Sequence, residues 1–388
     1  MANSNSIPSN IKPKVLRVPL HTLQIAAMWP PFTINRVIKT LMRIYLVSSA
    51  ILLALCTVGL LVKTITTKDL VDRSEAIDII TLTSSALYKQ LFFVKHYNEL
   101  NDLVMTADIL EVPVGWLKYP PYLSAAHCTC GFLAIGFWWM VPILKVSFGI
   151  TTLPEMRLPM NVYDWGPTGW QFCAIYVCCC FGLAFSTHVY MAVDGFLFTA
   201  VYTANGALKL LADRIMKIRS IKTEGKETLN EIILSELKKC AKTHALILQF
   251  IRKLEVIFRS LIVADVLHAI ISLSFAMLQM SESKGILEWT KMVFFIFYCF
   301  LHQYLNSFFG QDLINKQENL RYVLEEVPWE ECSLPVRSTT LIMITATTNP
   351  IKLSAWRMYF LQYATFSEFV KNMISTYMVL RQLQDNSV

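Results

Sequence analysis

Asp265 and His268 stand three residues apart, which puts a carboxylate and an imidazole on one helix face, where they could ligate a metal or relay a proton. No third ligand follows at helical spacing, so a polar contact between helices is the better reading. Cys178, Cys179 and Cys180 raise the same question. Consecutive helical residues point about 100° apart, so three in a row cannot share one ion and read instead as small packing residues. His188 and His302 could each hydrogen-bond an ester, alcohol or aldehyde oxygen, or bond a neighbouring helix. There is no metal cluster, nucleophile elbow or phosphate loop, and glycine is only 13 of 388 residues, so the sequence implies neither an enzyme nor a cofactor.

The elements that carry these residues follow from composition. The chain is 54% hydrophobic and 16% charged, with a mean hydropathy of +0.45. Soluble domains carry about 25% charge, so much of this surface must face something other than water. Disorder, a collagen-like fibre and a disulfide scaffold are excluded, and a polytopic membrane protein remains. A bilayer crossing takes about 20 mainly apolar residues. Runs of that kind lie at Ile44–Val62, Ala76–Val94, Ser124–Leu144, Trp170–Ala204, Val256–Gln279, Met292–Gln311 and Met358–Leu380. They are too long for barrel strands and lack period-two alternation, so the expected fold is all-α with seven transmembrane helices. The second run carries Asp78 and Lys89 and the last carries Glu368 and Lys371, which makes these two the weakest on hydropathy.

Basic residues set the orientation. With the amino terminus inside, the cytoplasmic segments hold 24 of the 35 lysines and arginines and the outer segments hold 8. The expectation is a cytoplasmic amino terminus, without a signal peptide, and an extracellular carboxyl terminus. A G-protein-coupled receptor has the opposite orientation, and neither Asp/Glu-Arg-Tyr nor Asn-Pro-x-x-Tyr occurs at the expected places. The net charge of +7 is accounted for by anchoring against acidic lipid and requires no nucleic acid. None of the ten cysteines falls in an outer loop, so no disulfide framework is expected.

Three spans continue as amphipathic helices beyond a membrane thickness. The fourth runs on through Leu208, Leu211, Ile215 and Ile218, and Leu229 to Leu248 leads into the fifth. The sixth continues through Leu313, Leu320 and Leu324 to Pro328. Apolar faces of this length predict a packed cytoplasmic helical anchor layer, at about 205–255 and 312–357, within one domain spanning 1–388. Val336–Thr347 reads as a short helix broken by Asn349-Pro350, with a second helical pattern starting after Ser354.

The carboxyl-terminal third carries a pattern. Gly310-Gln311-Asp312-Leu313-Ile314 is followed by Val327-Pro328-Trp329, Asn349-Pro350-Ile351-Lys352-Leu353-Ser354-Ala355, Thr365-Phe366-Ser367 and Ser375-Thr376-Tyr377-Met378-Val379-Leu380-Arg381. This resembles the insect odorant receptor family, in its divergent, ligand-tuned class. Asn349 and Thr376 depart from the family's usual lysine and tyrosine. The resemblance implies a subunit of an odorant-gated, non-selective cation channel, a heterotetramer with a shared olfactory co-receptor, in the plasma membrane of sensory dendrites. It places a hydrophobic gate at Val379 and Leu383 with Gln382 as a polar pore residue. Val379 and Leu383 are four apart, so they share a helix face and could close a pore by dewetting.

The resemblance also places a small, apolar, volatile ligand in the outer half of the bundle. Candidates by depth are Ser84, Leu87 and Tyr88, then Gly136, Phe137 and Met140, then Phe181, Phe185 and His188, and finally Phe297, Tyr298 and His302. Burying about 200–300 Å² of such a ligand yields at most roughly 5–8 kcal/mol, which after association entropy suits micromolar affinity. A homotetrameric gustatory receptor is the alternative, because Thr376 to Leu383 approaches that family's ending. The Lys-Leu-Ser-Ala and Pro-Trp motifs favour the odorant branch.

Overall fold

A computed structural model of the chain describes residues 15–386, apart from 27, 31–35, 69, 114, 152–155, 157–168, 220–225, 284, 328, 330 and 331. The described residues form ten α-helices and one small hairpin. The helices are α1 (Arg17–Ile25), α2 (Arg36–Thr66), α3 (Leu70–Lys95), α4 (Tyr97–Ile109), α5 (Tyr119–Ser147), α6 (Gly169–Arg219) and α7 (Lys226–Glu282). They continue with α8 (Ile286–Glu325), α9 (Leu334–Thr347) and α10 (Tyr363–Asp385), and strands β1 (Ser354–Ala355) and β2 (Tyr359–Phe360) lie between the last two.

The seven apolar runs fall on α2, α3, α5, α6, α7, α8 and α10, a seven-helix bundle. By length and apolarity alone, α2, the 124–147 part of α5, α6, α7 and α8 can cross a membrane. The ionisable residues noted above hold α3 and α10 below that mark. Ile44, Val47, Ile51, Leu55 and Val58 are exposed along α2. In water such a stripe would drive aggregation, whereas in a bilayer it meets its natural solvent. No two of the ten cysteines are joined in a disulfide.

Helices α6, α7 and α8 run unbroken for 51, 57 and 40 residues, the last closing at Glu325. Pro328, expected to end it, lies outside the described residues. Below the spans, Leu208, Leu211 and Ile215 of α6 join Leu237, Phe250 and Leu254 of α7 and Leu313, Leu320 and Leu324 of α8 in one apolar core. Close approach fixes some of this packing. A Cβ on Gly206 would lie 2.7 Å from the Trp116 ring, whose Nε1–H donates to the Tyr202 carbonyl at 3.0 Å.

Two regions depart from expectation. The amino-terminal segment holds a helix that none of the apolar runs predicts, α1, which buries Pro19, Leu20 and Leu23 against the bundle. The seventh helix begins at Tyr363, five residues after the predicted Met358, and the helical pattern after Ser354 is a hairpin. The Met358 amide donates to the Ala355 carbonyl at 2.9 Å, and Trp356 and Arg357 hold positive φ of 53° and 62°, the conformation of a type I′ turn. Neither residue favours that region, so neighbours must hold it. Arg259 lies 4.1 Å from the Trp356 ring centroid, and the Ser354 hydroxyl donates to Glu255 at 2.7 Å.

Candidate functional site

The centre of the bundle is a buried polar network on four spans. Lys89 of α3 is fully buried, with Nζ 2.8 Å from Asp194 of α6 and 2.9 Å from Asp265 of α7. The other Asp194 oxygen lies 2.9 Å from Nε2 of His302 on α8. The Lys89 ammonium also sits 3.3 Å from the Tyr190 ring centroid. Charge inside a membrane costs several kcal/mol per ion unless paired, so every member is held where its partners can reach it. The Lys89 ammonium thus lies between two acids, and the His302 ring closes the network on the far side of Asp194.

Asp265 is thus an interhelical partner of Lys89, and His268, one turn along, packs its ring 5.4 Å from Tyr190. A different trio, His127, Asp194 and His302, brings three ligand atoms within 4.8 Å of one another. The donor set suits a divalent cation poorly. Both Asp194 oxygens already face Lys89 and His302, and the Lys89 ammonium would repel a metal held beside it.

Around this network stands an aromatic shelf. His127 of α5 lies 5.8 Å from the Tyr298 ring, 5.6 Å from His302 and 5.5 Å from Phe198. His127 is 2% exposed; its Nε2 faces the Tyr298 hydroxyl at 3.4 Å, and its Nδ1 has no partner among the described residues. Here is unused hydrogen-bonding capacity beside three aromatic faces.

The twelve candidate ligand residues do not form one wall. Tyr298 and His302 meet at the shelf, 6.4 Å apart. Phe137 stacks on Phe294 at 4.5 Å, and space opens beside Gly136, where an added Cβ would meet nothing within 4 Å. Ser84 and Leu87 are half-buried on α3. Phe185 packs edge-on against Tyr45 of α2 at 5.8 Å. His188 Nε2 lies 3.1 Å from the Thr22 carbonyl, tying α6 to α1. Phe181, Phe297, Met140 and Tyr88 turn outward, at 71%, 60%, 53% and 38% exposure. Both histidines singled out from sequence are therefore engaged with neighbouring helices. The sequence reading missed His127, Tyr190 and Asp194, and its available signal was a lone acid inside the apolar run Trp170–Ala204.

Helix α10 buries Thr365, Phe369 and Met373 against α7 and α8 and leaves its other side free. Val379 and Leu383 are each 56% exposed, and Gln382, Glu368 and Lys371 are exposed as well. The Arg381 guanidinium donates to the Tyr377 hydroxyl at 3.1 Å. Two contacts hold the segment before this helix against α8. Gln317 of α8 both donates to and accepts from the backbone of Ile351, each at 2.9 Å, and Gly310 lies so close to the Leu361 carbonyl that a Cβ would fall 2.0 Å from it.

A family model described as 7tm odorant receptor matches residues 123–374. The chain is also similar to the solved structure of the insect olfactory receptor OR5 from Machilis hrabei in complex with eugenol. The TM-score is 0.78 at 15% sequence identity, covering 95% of this chain and 97% of that one. A second OR5 structure from the same organism gives 0.77 at 15% identity and the same coverage. At that identity the likeness is one of fold. Among curated proteins, none matches in sequence.

Proposed function

The chain belongs to the 7tm odorant receptor family, and from that premise we propose that it is the ligand-binding subunit of an odorant-gated, non-selective cation channel completed by a shared olfactory co-receptor. It is a multi-pass membrane protein and a receptor in place of an enzyme. The observation that carries the channel reading is the free side of α10, where Val379 and Leu383 share a face and are each 56% exposed. Apolar side chains left exposed on a helix need a second surface to cover them, and four copies around an axis would make them a hydrophobic constriction with Gln382 beside it.

The amino terminus lies in the cytoplasm and the carboxyl terminus outside, in the plasma membrane of sensory neurons. The ligand lies between α3, α5, α6 and α8, with its apolar body near Gly136 and Phe137 and a polar end at Tyr298 and the free Nδ1 of His127. That OR5 is described in complex with eugenol, a small volatile phenol, supports this ligand class. Opening requires only that the ligand bind the open state a few kcal/mol better than the closed one.

The test is expression with and without the co-receptor. Odorant-evoked cation currents in the pair and none from the chain alone are expected. Robust currents from the chain alone overturn the heteromeric assignment in favour of a homotetramer. Labelling of a tag on Met1 in intact cells overturns the orientation.

A further inference from the structure

Away from the network, a cavity of about 330 Å³ opens between the segment that follows α1, the start of α2 and the passage from α3 to α4, at the cytoplasmic boundary. Trp29 and Tyr97 form one wall, with rings 5.1 Å apart, and Leu46 and Val94 form the apolar floor. Lys39 and Arg43, four apart on α2, supply the charge. Both are exposed, and neither makes an ion pair with a described residue. The nearby acid Glu99 already faces His96 at 2.8 Å. Trp29 is buried, and the Gln24 side chain donates to the Pro30 carbonyl at 2.9 Å, so the wall is built into the fold.

The membrane register of this cavity is legible on two helices. The apolar run of α2 begins at Ile44, and that of α3 ends at Val94. Lys39 and Arg43 therefore lie within about 7 Å outside the hydrocarbon edge, the depth of phospholipid headgroups, while Leu46 and Val94 lie at or inside it. Two unpaired cations at headgroup depth above an apolar floor match one chemistry, an anionic headgroup continuous with an acyl chain. A neutral odorant would leave both charges unused.

We propose that this cavity is a binding site for an anionic glycerophospholipid of the cytoplasmic leaflet. The phosphate sits between Lys39 and Arg43 and an acyl chain lies along Leu46 and Val94. Arginine's planar fork grips phosphate oxygens two at a time, and lysine adds a point charge. Such a lipid would fasten the segment after α1 to α2 and α3. The proposal goes beyond the receptor reading and rests on it only for the cytoplasmic side of the amino terminus, which the lipid-retention measurement does not read.

Native mass spectrometry of the purified full chain, supplied with phosphatidylglycerol or phosphatidylcholine in mixed micelles, tests it. The expected result is one phosphatidylglycerol retained in preference to phosphatidylcholine. Lys39→Ala/Arg43→Ala should weaken that preference by roughly 25-fold, at about five-fold per cation near a membrane surface. Val94→Trp, which fills the floor and keeps both cations, should also lower retention at least five-fold. Lys238→Ala/Lys242→Ala, on the exposed anchor, should not. All variants are compared as monodisperse protein, and both headgroup cations are exposed, so the fold survives their removal. Equal retention of the two lipids, or retention unchanged in the Lys39/Arg43 variant, overturns the site. Loss in the Lys238/Lys242 variant as well means bulk charge and overturns it too. Displacement of the lipid by millimolar inorganic phosphate overturns the acyl-chain part of the assignment.

Discussion

Lys89→Met removes the ammonium at the centre of the bundle and nearly preserves its volume. Lys89 is fully buried with two carboxylate oxygens at 2.8 and 2.9 Å, so the substitution strands Asp194 and Asp265 inside the membrane. Breaking a buried pair by removing one partner costs about 3–5 kcal/mol, a factor of roughly 10²–10⁴ in the unfolding equilibrium. The apparent midpoint of thermal unfolding should fall by about 4–6 °C. Asp265→Asn should cost only about 1–2 kcal/mol, because the Lys89–Asp194 pair survives and an amide oxygen can still accept from the ammonium. The combination Lys89→Met/Asp194→Asn/Asp265→Asn removes all three charges and should recover at least half of the loss. The assay is size exclusion of tagged, detergent-purified protein after a temperature series. A Lys89→Met midpoint within about 1 °C of wild type would refute the reasoning, as would a triple variant no more stable than the single one.

Other expectations follow from the same geometry. Gly310→Ala pushes a methyl into the Leu361 carbonyl, so the hairpin and the start of α10 must shift. It should reduce folded yield and abolish odorant currents, and near-normal currents would show that the contact is dispensable. Trp356→Ala removes the ring against Arg259 and should destabilise by about 1 kcal/mol, the scale of one exposed cation–π contact, read as a small loss in thermal midpoint. In co-expressing cells Phe137→Ala and Tyr298→Ala should raise the half-maximal odorant concentration at least ten-fold, whereas Phe181→Ala and Phe297→Ala should change it less than two-fold. The reverse ranking would move the ligand to the outer face of the bundle. Val379→Ala should raise current without odorant by weakening the dewetted constriction, and an unchanged resting current would place the gate elsewhere.

The architecture is largely legible in the sequence, because a membrane helix must satisfy every backbone group internally and so leaves a long apolar run for each crossing. The run-on of α6, α7 and α8 showed equally well, since their apolar stripes persist past the bilayer. The site was less legible. Lys89 and Asp194 lie 105 residues apart, on different apolar runs, and only the fold makes them partners. Asp265 carried a local cue, its neighbour His268, that pointed to the wrong companion. The start of α10 misled for a related reason. Met358–Leu361 is apolar enough to read as helix, but contacts from Glu255 and Arg259 on α7 hold the preceding residues in a tight turn. At nine residues, α1 is too short for periodicity to declare it, and its place is set by the bundle on which Leu20 and Leu23 close.

The central claim is that ligand and pore reside in one assembly. Excised inside-out patches from cells expressing this chain with the co-receptor, bathed in nucleotide-free solution, test it most directly. Odorant should evoke a non-selective cation current within milliseconds and without GTP. A response that disappears in nucleotide-free solution and returns with GTP would contradict the account.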